Sequence, residues 1–180
     1  RLARWSEACL ATIWRTDSTE NVCRMWSQTA DEILISAWKS CGLDKYEAVL
    51  FALGKHGALE LNLSSDIDLL IVAELREALQ VEKSLRRFQN LLQSGTEFGF
   101  CFRLDFDLRP GGKMGPLITS PSQFQDYYWS QGETLERLAL VRLRPVTGSS
   151  ALHEQIDDLA KRYCYRKFLD FTLLDDLKAL

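Results

Sequence analysis

The sequence predicts an α+β fold, with a small sheet in the middle of the chain and helices on both sides of it. Three observations carry this. Short β-branched and aliphatic runs of strand length are confined to residues 46–109. Apolar residues recur at helical spacing before and after that region. A chain of 180 residues that is 46% hydrophobic can bury one sizeable core. The chain therefore reads as a single domain over 1–180, with a helical lead-in (1–45), a sheet core (46–118) and a helical portion (119–180).

Residues 2–14 carry Leu2, Trp5, Ala8, Cys9 and Ile13 near helical spacing, and residues 21–41 repeat the pattern with Val22, Met25, Trp26, Ala30, Ile33, Leu34, Ala37 and Trp38. Gly42 is a natural stop for this second helix. Both helices read as scaffold against the sheet, and their tryptophans as core or interface, because no basic residues interleave with them as in a base-stacking surface. Residues 46–53 form the first strand. A glycine turn with Gly54 and Gly57 follows, then a second strand through Ile67, Leu69, Leu70, Ile71 and Val72.

Residues 75–93 read as an amphipathic helix with Leu79, Leu85, Phe88, Leu91 and Leu92 on one face, ended by Ser94-Gly95. Residues 100–109, FCFRLDFDLR, alternate with period two: Phe100, Phe102, Leu104, Phe106 and Leu108 to one side, Cys101, Arg103, Asp105, Asp107 and Arg109 to the other. A glycine turn fills 110–116. Ser120-Pro121 opens a helix to 130, since serine caps and proline suits a first helical turn. Further helices are expected over 134–143, 149–171 and 172–180.

Composition narrows the function classes. With 22 basic and 25 acidic residues the net charge is −3, so no basic field marks a nucleic-acid binder. No apolar run approaches a membrane span and no signal peptide is visible. The five cysteines, at 9, 23, 41, 101 and 164, contain no C-x-x-C and have only His56 and His153 to assist them. Free, mostly buried thiols in a reducing cytoplasm fit that pattern better than zinc or a disulfide framework. A start at Arg1 and an end inside a helical pattern read as a piece of a longer chain.

The chemistry concentrates in residues 51–74. Asp66 and Asp68 lie two apart at the start of an apolar strand, so both carboxylates leave one face. Like charges held so close repel unless a cation sits between them, and Mg²⁺ prefers carboxylate oxygens while leaving room for phosphate. Gly54 and Gly57 permit a tight turn and close approach, and Lys55 and Ser65 are placed to meet phosphate oxygens. Asp105 or Asp107, on a later strand, supplies a third carboxylate. A glycine turn, S-D-x-D and a further acid are the parts of a two-metal nucleotidyl-transfer site. The bland alternative is that Ser-Ser-Asp is turn chemistry and the acids are paired surface charges.

These residues resemble the polymerase-β-type nucleotidyltransferase superfamily, and within it the glutamine synthetase adenylyltransferase/adenylyl-removing family. The resemblance lies in ALGKHGALELNLSSDIDLLIV, FRLDFDLRPGGKMGPLITS, FQDYYWSQGETLERLALVRLRPVTG and RKFLDFTLLDDLKAL, four ordered blocks from about residue 51 almost to the end. It implies a small mixed sheet flanked by helices and one nucleotidyltransferase half of a longer two-half chain. ELNLSSDIDL and YYWSQGETLER are more similar to the amino-terminal, adenylyl-removing half.

The resemblance further implies Mg²⁺ held by Asp66, Asp68 and Asp105, with nucleotide contacts from Gly54, Lys55, Ser65 and Arg109. The implied partners are ATP or ADP, phosphate, glutamine synthetase as protein substrate, and a nitrogen-signalling regulator acting through regions outside this chain. Two departures stand out: Asp107 occupies a position where the family usually has arginine, and His56 one where leucine is usual. The competing expectations are a nucleotidyltransferase of the same fold acting on a small molecule or RNA, and a non-catalytic nucleotide-binding module.

Overall fold

The computed structural model describes residues 1–14, 17–97 and 99–166. The expected helix over 172–180, and the last part of that over 149–171, lie outside the described residues. The α+β expectation is borne out: among the described residues, helices and a five-stranded mixed sheet share one structure. The helices are α1 (Leu2–Ile13), α2 (Thr19–Ser40), the one-turn α3 (Gly54–Gly57), α4 (Ala78–Gln93), α5 (Pro121–Ser130), α6 (Thr134–Val141) and α7 (Ser150–Cys164). The strands are β1 (Ala48–Ala52), β2 (Ile67–Ala73), β3 (Leu104–Asp105), β4 (Ile118–Thr119) and β5 (Arg144–Gly148).

The sheet runs β3-β2-β1-β5, and β4 shares the β3 side of β2. β1 lies antiparallel to β2 and β5, while β3 and β4 run parallel to successive stretches of β2. Every residue of β1, and every residue of β2 except Asp68, is buried. The two strands are covered on both faces, which is why they read as continuous apolar runs and not as alternating ones.

On one face Leu50, Leu69 and Ile71 pack with Trp26, Leu34 and Trp38 of α2 and with Leu85 and Phe88 of α4. On the other, Val49, Phe51, Leu70 and Val72 pack with Phe124 and Tyr128 of α5, Leu140 of α6 and Ile156 and Tyr163 of α7. Asp68 shares the parity of Leu70 and Val72, so it leaves the sheet on this second face, at the open end of β2.

The helix ends follow local chemistry. The Ser18 hydroxyl caps α2 by accepting from the Asn21 amide at 3.2 Å, and Gly42, at φ 72°, closes it. Ser120 and Gln123 form a reciprocal capping box across Pro121.

Several expectations are corrected. The strand over 100–109 is realised only as Leu104–Asp105. The amides of Cys101 and Phe102 go instead to the Leu92 carbonyl at the end of α4, and past Asp105 the chain turns, with the Asp107 amide donating to Asp105 Oδ1 at 2.7 Å. Asp107 therefore does not share a strand face with Asp105. β4 and β5 were not anticipated: Pro145 sits at an irregular step in the pairing of β5, an edge strand where proline is tolerated.

On α4 the buried stripe is Val81, Leu85, Phe88 and Leu92, while Leu79 and Leu91 point outward. At 100° per residue, positions 79 and 91 fall well off that stripe. α1 packs against α2 and not on the sheet, and Trp14 is exposed. Of the cysteines, all unpaired, only Cys164 is buried and the other four are partly exposed, against the expectation of mostly buried thiols. No helix among the described residues is long and apolar enough to cross a membrane.

Candidate active site

The site is built where β1 ends and β2 and β3 begin. β1 hands the chain to α3 through Leu53, whose amide donates to the Asp68 carbonyl at 3.0 Å and keeps the turn beside the start of β2. Gly54 adopts φ +53°, a backbone conformation that favours glycine. A β-carbon placed on it would lie 2.2 Å from Asp68 Oδ2, so the missing side chain is what lets the backbone rest against this carboxylate. Lys55, exposed, follows directly.

Across β2, Asp68 and Asp105 are register partners of parallel strands and leave the sheet on the same face. Burial, then the charges of Asp105 and Asp66, push the Asp68 carboxyl up to about 6, against the opposing pull of Lys55. Asp105 is oriented by the Asp107 amide it accepts. Asp66 is more exposed and takes a hydrogen bond from Arg103 Nε; the same guanidinium donates to the Ser64 carbonyl at 3.0 Å. Among the described residues no three His, Cys, Asp or Glu side chains converge closely enough to hold a metal ion as they stand.

The remaining candidates are more dispersed. Ser65 is half-buried and lines a cavity of about 370 Å³ with Trp5, Phe100, Phe102 and Arg103. The Arg109 guanidinium is spent on the loop that follows β3, donating to the carbonyls of Phe106, Lys113 and Gly115. Asp107 is exposed on that loop and pairs with Lys113 at 3.2 Å.

Sequence reasoning missed four participants. His56, noted in the sequence only as a departure where leucine is usual, is fully buried, with Nε2 3.0 Å from Asp31 Oδ1. Asp31 also receives both terminal nitrogens of Arg144, at 2.9 and 3.1 Å. Burial alone would raise the Asp31 carboxyl, but His56 and Arg144 outweigh it and hold the group below the usual carboxylate range. No sequence signal joins residues 31, 56 and 144. Arg103 did have one: it stood on the polar side of the alternating run with Asp105.

The pairing of Asp107 with Lys113 leads to an expected result. Asp107→Arg should leave divalent-cation binding intact, because the carboxylates acting on Asp68 are Asp105 and Asp66. It should tighten phosphate binding by about three- to tenfold, the range of one added exposed charge. Isothermal titration with Mg²⁺ and with phosphate checks both. Loss of cation binding would make Asp107 a ligand.

Comparison with known proteins identifies the family. A family model described as glutamate-ammonia ligase adenylyltransferase matches residues 6–159. Curated relatives named bifunctional glutamine synthetase adenylyltransferase/adenylyl-removing enzyme include one from Nitrosococcus oceani, 33% identical over 93% of this chain and 20% of its own length. Another, from Pseudomonas putida, is 37% identical over 73% of this chain and 15% of its own. A third, from Pseudomonas syringae pv. tomato, is 35% identical over 79% of this chain and 15% of its own. The matched region thus spans a fifth or less of these relatives. On the family match over most of its length and the relatives' identity across it, this chain belongs to the glutamate-ammonia ligase adenylyltransferase family.

Proposed function

We propose that this chain is one nucleotidyltransferase domain of a longer cytoplasmic protein, and that it removes AMP from a tyrosine of glutamine synthetase by phosphorolysis. The observation that carries the reading is the approach of the Gly54 backbone to Asp68, on a sheet face that Asp68 shares with Asp105. The names of the relatives supply glutamine synthetase and the two directions of AMP transfer. The similarity of ELNLSSDIDL and YYWSQGETLER to the adenylyl-removing half favours removal.

The donor set fits Mg²⁺. Asp68 carries a carboxyl made uncomfortable by Asp105 and Asp66, and a hard cation relieves such repulsion. Asp66, Asp68 and Asp105 would hold it, with Asp66 turning away from Arg103. When bound, Mg²⁺ supplies positive charge against the phosphate oxygens.

The chain's own groups position the reactants. The close Gly54 backbone leaves room for a phosphate beside Asp68, and Lys55 and Ser65 offer it donors. In the reaction a phosphate oxygen bonds to the adenylyl phosphorus while the bond from phosphorus to the tyrosine oxygen breaks. The tyrosine oxygen takes up a proton, and the products are ADP and unmodified tyrosine.

The direction is tested by supplying Mg²⁺ and phosphate with adenylylated glutamine synthetase and measuring ADP, in parallel with transfer of label from ATP to the unmodified enzyme. A clear excess of ADP release is expected. ATP-dependent labelling with pyrophosphate release and no ADP would assign the chain to the adenylating reaction instead.

A further inference from the structure

We propose that Asp31 is a positioning residue for the carboxylate site: through Arg144 it clamps the carbonyl end of α3 and so holds Gly54 against Asp68. The proposal rests on the reading of that site as one of nucleotidyl transfer. Four contacts link the parts. Asp31, on α2, grips both terminal nitrogens of Arg144. Arg144 Nε donates to the Gly57 carbonyl at 3.2 Å, and one terminal nitrogen also donates to the His56 carbonyl at 3.1 Å. Both carbonyls lie at the end of α3, and that of His56 also accepts the Leu59 amide just past the turn. At the other end of α3 Gly54 meets Asp68.

The turn needs such a hold. Its exit passes through Leu59 at φ 60°, a left-handed conformation in which a non-glycine residue persists only where its surroundings over-determine it. The Leu59 and Glu60 amides close the turn onto the His56 and Lys55 carbonyls at 3.1 and 2.8 Å. Gly57 leaves no slack, since a β-carbon there would lie 2.0 Å from the Arg142 carbonyl oxygen and 2.9 Å from that of Ala52.

Arg144 belongs to β5 and pairs with Ala52, so the clamp is anchored in the sheet itself. A planar guanidinium can serve a carboxylate and two carbonyls together, whereas an ammonium at the same place cannot reproduce the fork. His56, fully buried, sets its Nε2 3.0 Å from Asp31 Oδ1, the oxygen that also receives one terminal nitrogen of Arg144.

The test compares Asp31→Asn, Asp31→Glu and Arg144→Lys with the unaltered chain. Amide hydrogen exchange is measured on the metal-free protein, and kcat and KM for ADP release are measured per folded molecule. For Asp31→Asn and Arg144→Lys, exchange at the Gly57 and Ala58 amides should rise about tenfold or more, while β1 and β2 stay protected. In the same variants kcat should fall about 10- to 100-fold with KM within about threefold, as for misplaced reacting groups. Asp31→Glu should recover part of both.

Unchanged exchange at α3 overturns the proposal, as does a loss of melting temperature with kcat intact. Arg144→Lys keeps the charge pair and guards against a variant that fails to fold. If the unaltered chain shows no AMP chemistry in either direction, the functional reading falls, and the exchange measurement still decides whether Asp31 holds the turn.

Discussion

Asp68→Asn is expected to reduce Mg²⁺-dependent turnover by about 10³-fold while leaving the metal-free protein as stable as before or more so. The two effects share one cause. Asp68 is half-buried at the open end of β2, where burial and the neighbouring Asp105 and Asp66 hold its carboxyl up at about 6, above the ordinary 3.8. The folded protein therefore binds this proton more tightly than the unfolded chain does.

The stability that goes with that proton is complete below about pH 3.8 and is lost as pH rises through about 6. At neutral pH the metal-free protein carries the full penalty. Because the group is substantially exposed, solvent screening reduces the penalty to about 1 kcal/mol. Asparagine keeps the shape and removes the charge, so melting in chelator should show a small gain near pH 7 that vanishes near pH 4. Turnover undiminished in this variant would take Asp68 out of the catalytic role, and a large fall in melting temperature would mean its charge is satisfied by a partner.

Gly54→Ala should be nearly as damaging, for a steric reason. The added β-carbon would sit 2.2 Å from Asp68 Oδ2, well inside van der Waals contact, and the backbone there has φ +53°. The conformation alone costs an alanine about 1–2 kcal/mol. The clash adds to this unless α3 or the Asp68 side chain moves, and α3 has no room to move at its Gly57 end. The carboxylate is therefore the group that yields, and it is displaced from the position facing Asp105. Activity should fall by about 10²-fold or more, since misplacement of this size is enough to undo alignment. The protein should remain folded, with a lower melting temperature. Wild-type activity in Gly54→Ala would show that the close approach has no catalytic meaning.

Much of this molecule can be read from local pattern. β1 and β2 announce themselves as unbroken apolar runs because both faces of the sheet are covered, and that burial leaves no position for a polar residue until the strand end. Ser120-Pro121 and Gly42 mark their helix boundaries because capping is a matter of adjacent residues. Asp66 and Asp68 are legible as a pair from the period of a strand, and Gly54 as a turn residue from its type. The family resemblance was legible too, through four ordered blocks.

What escaped local reading depends on partners distant in sequence. β3 is two residues long and not ten because the Leu92 carbonyl, at the end of α4, takes the amides that would have extended it. Pro145 hid β5, whose existence depends on β1 accepting it as an edge strand. The polar alternation of 100–109 could not say that Arg103 would turn to Asp66, or that Arg109 would be consumed by its own loop.

The Asp31, His56 and Arg144 cluster is the clearest case. Its members come from a helix, a one-turn helix and an edge strand, and Asp31 and Arg144 are 113 positions apart. Each looks like an ordinary polar residue in its own neighbourhood. The sequence by itself determined the apolar strands, the caps and the paired acids, because these depend on spacing along the chain. Only the tertiary structure decided that Asp105 would stand opposite Asp68, and that Asp31 and Arg144 would meet at the far end of the glycine turn, because an ion pair is specified by distance in space and leaves no periodic trace.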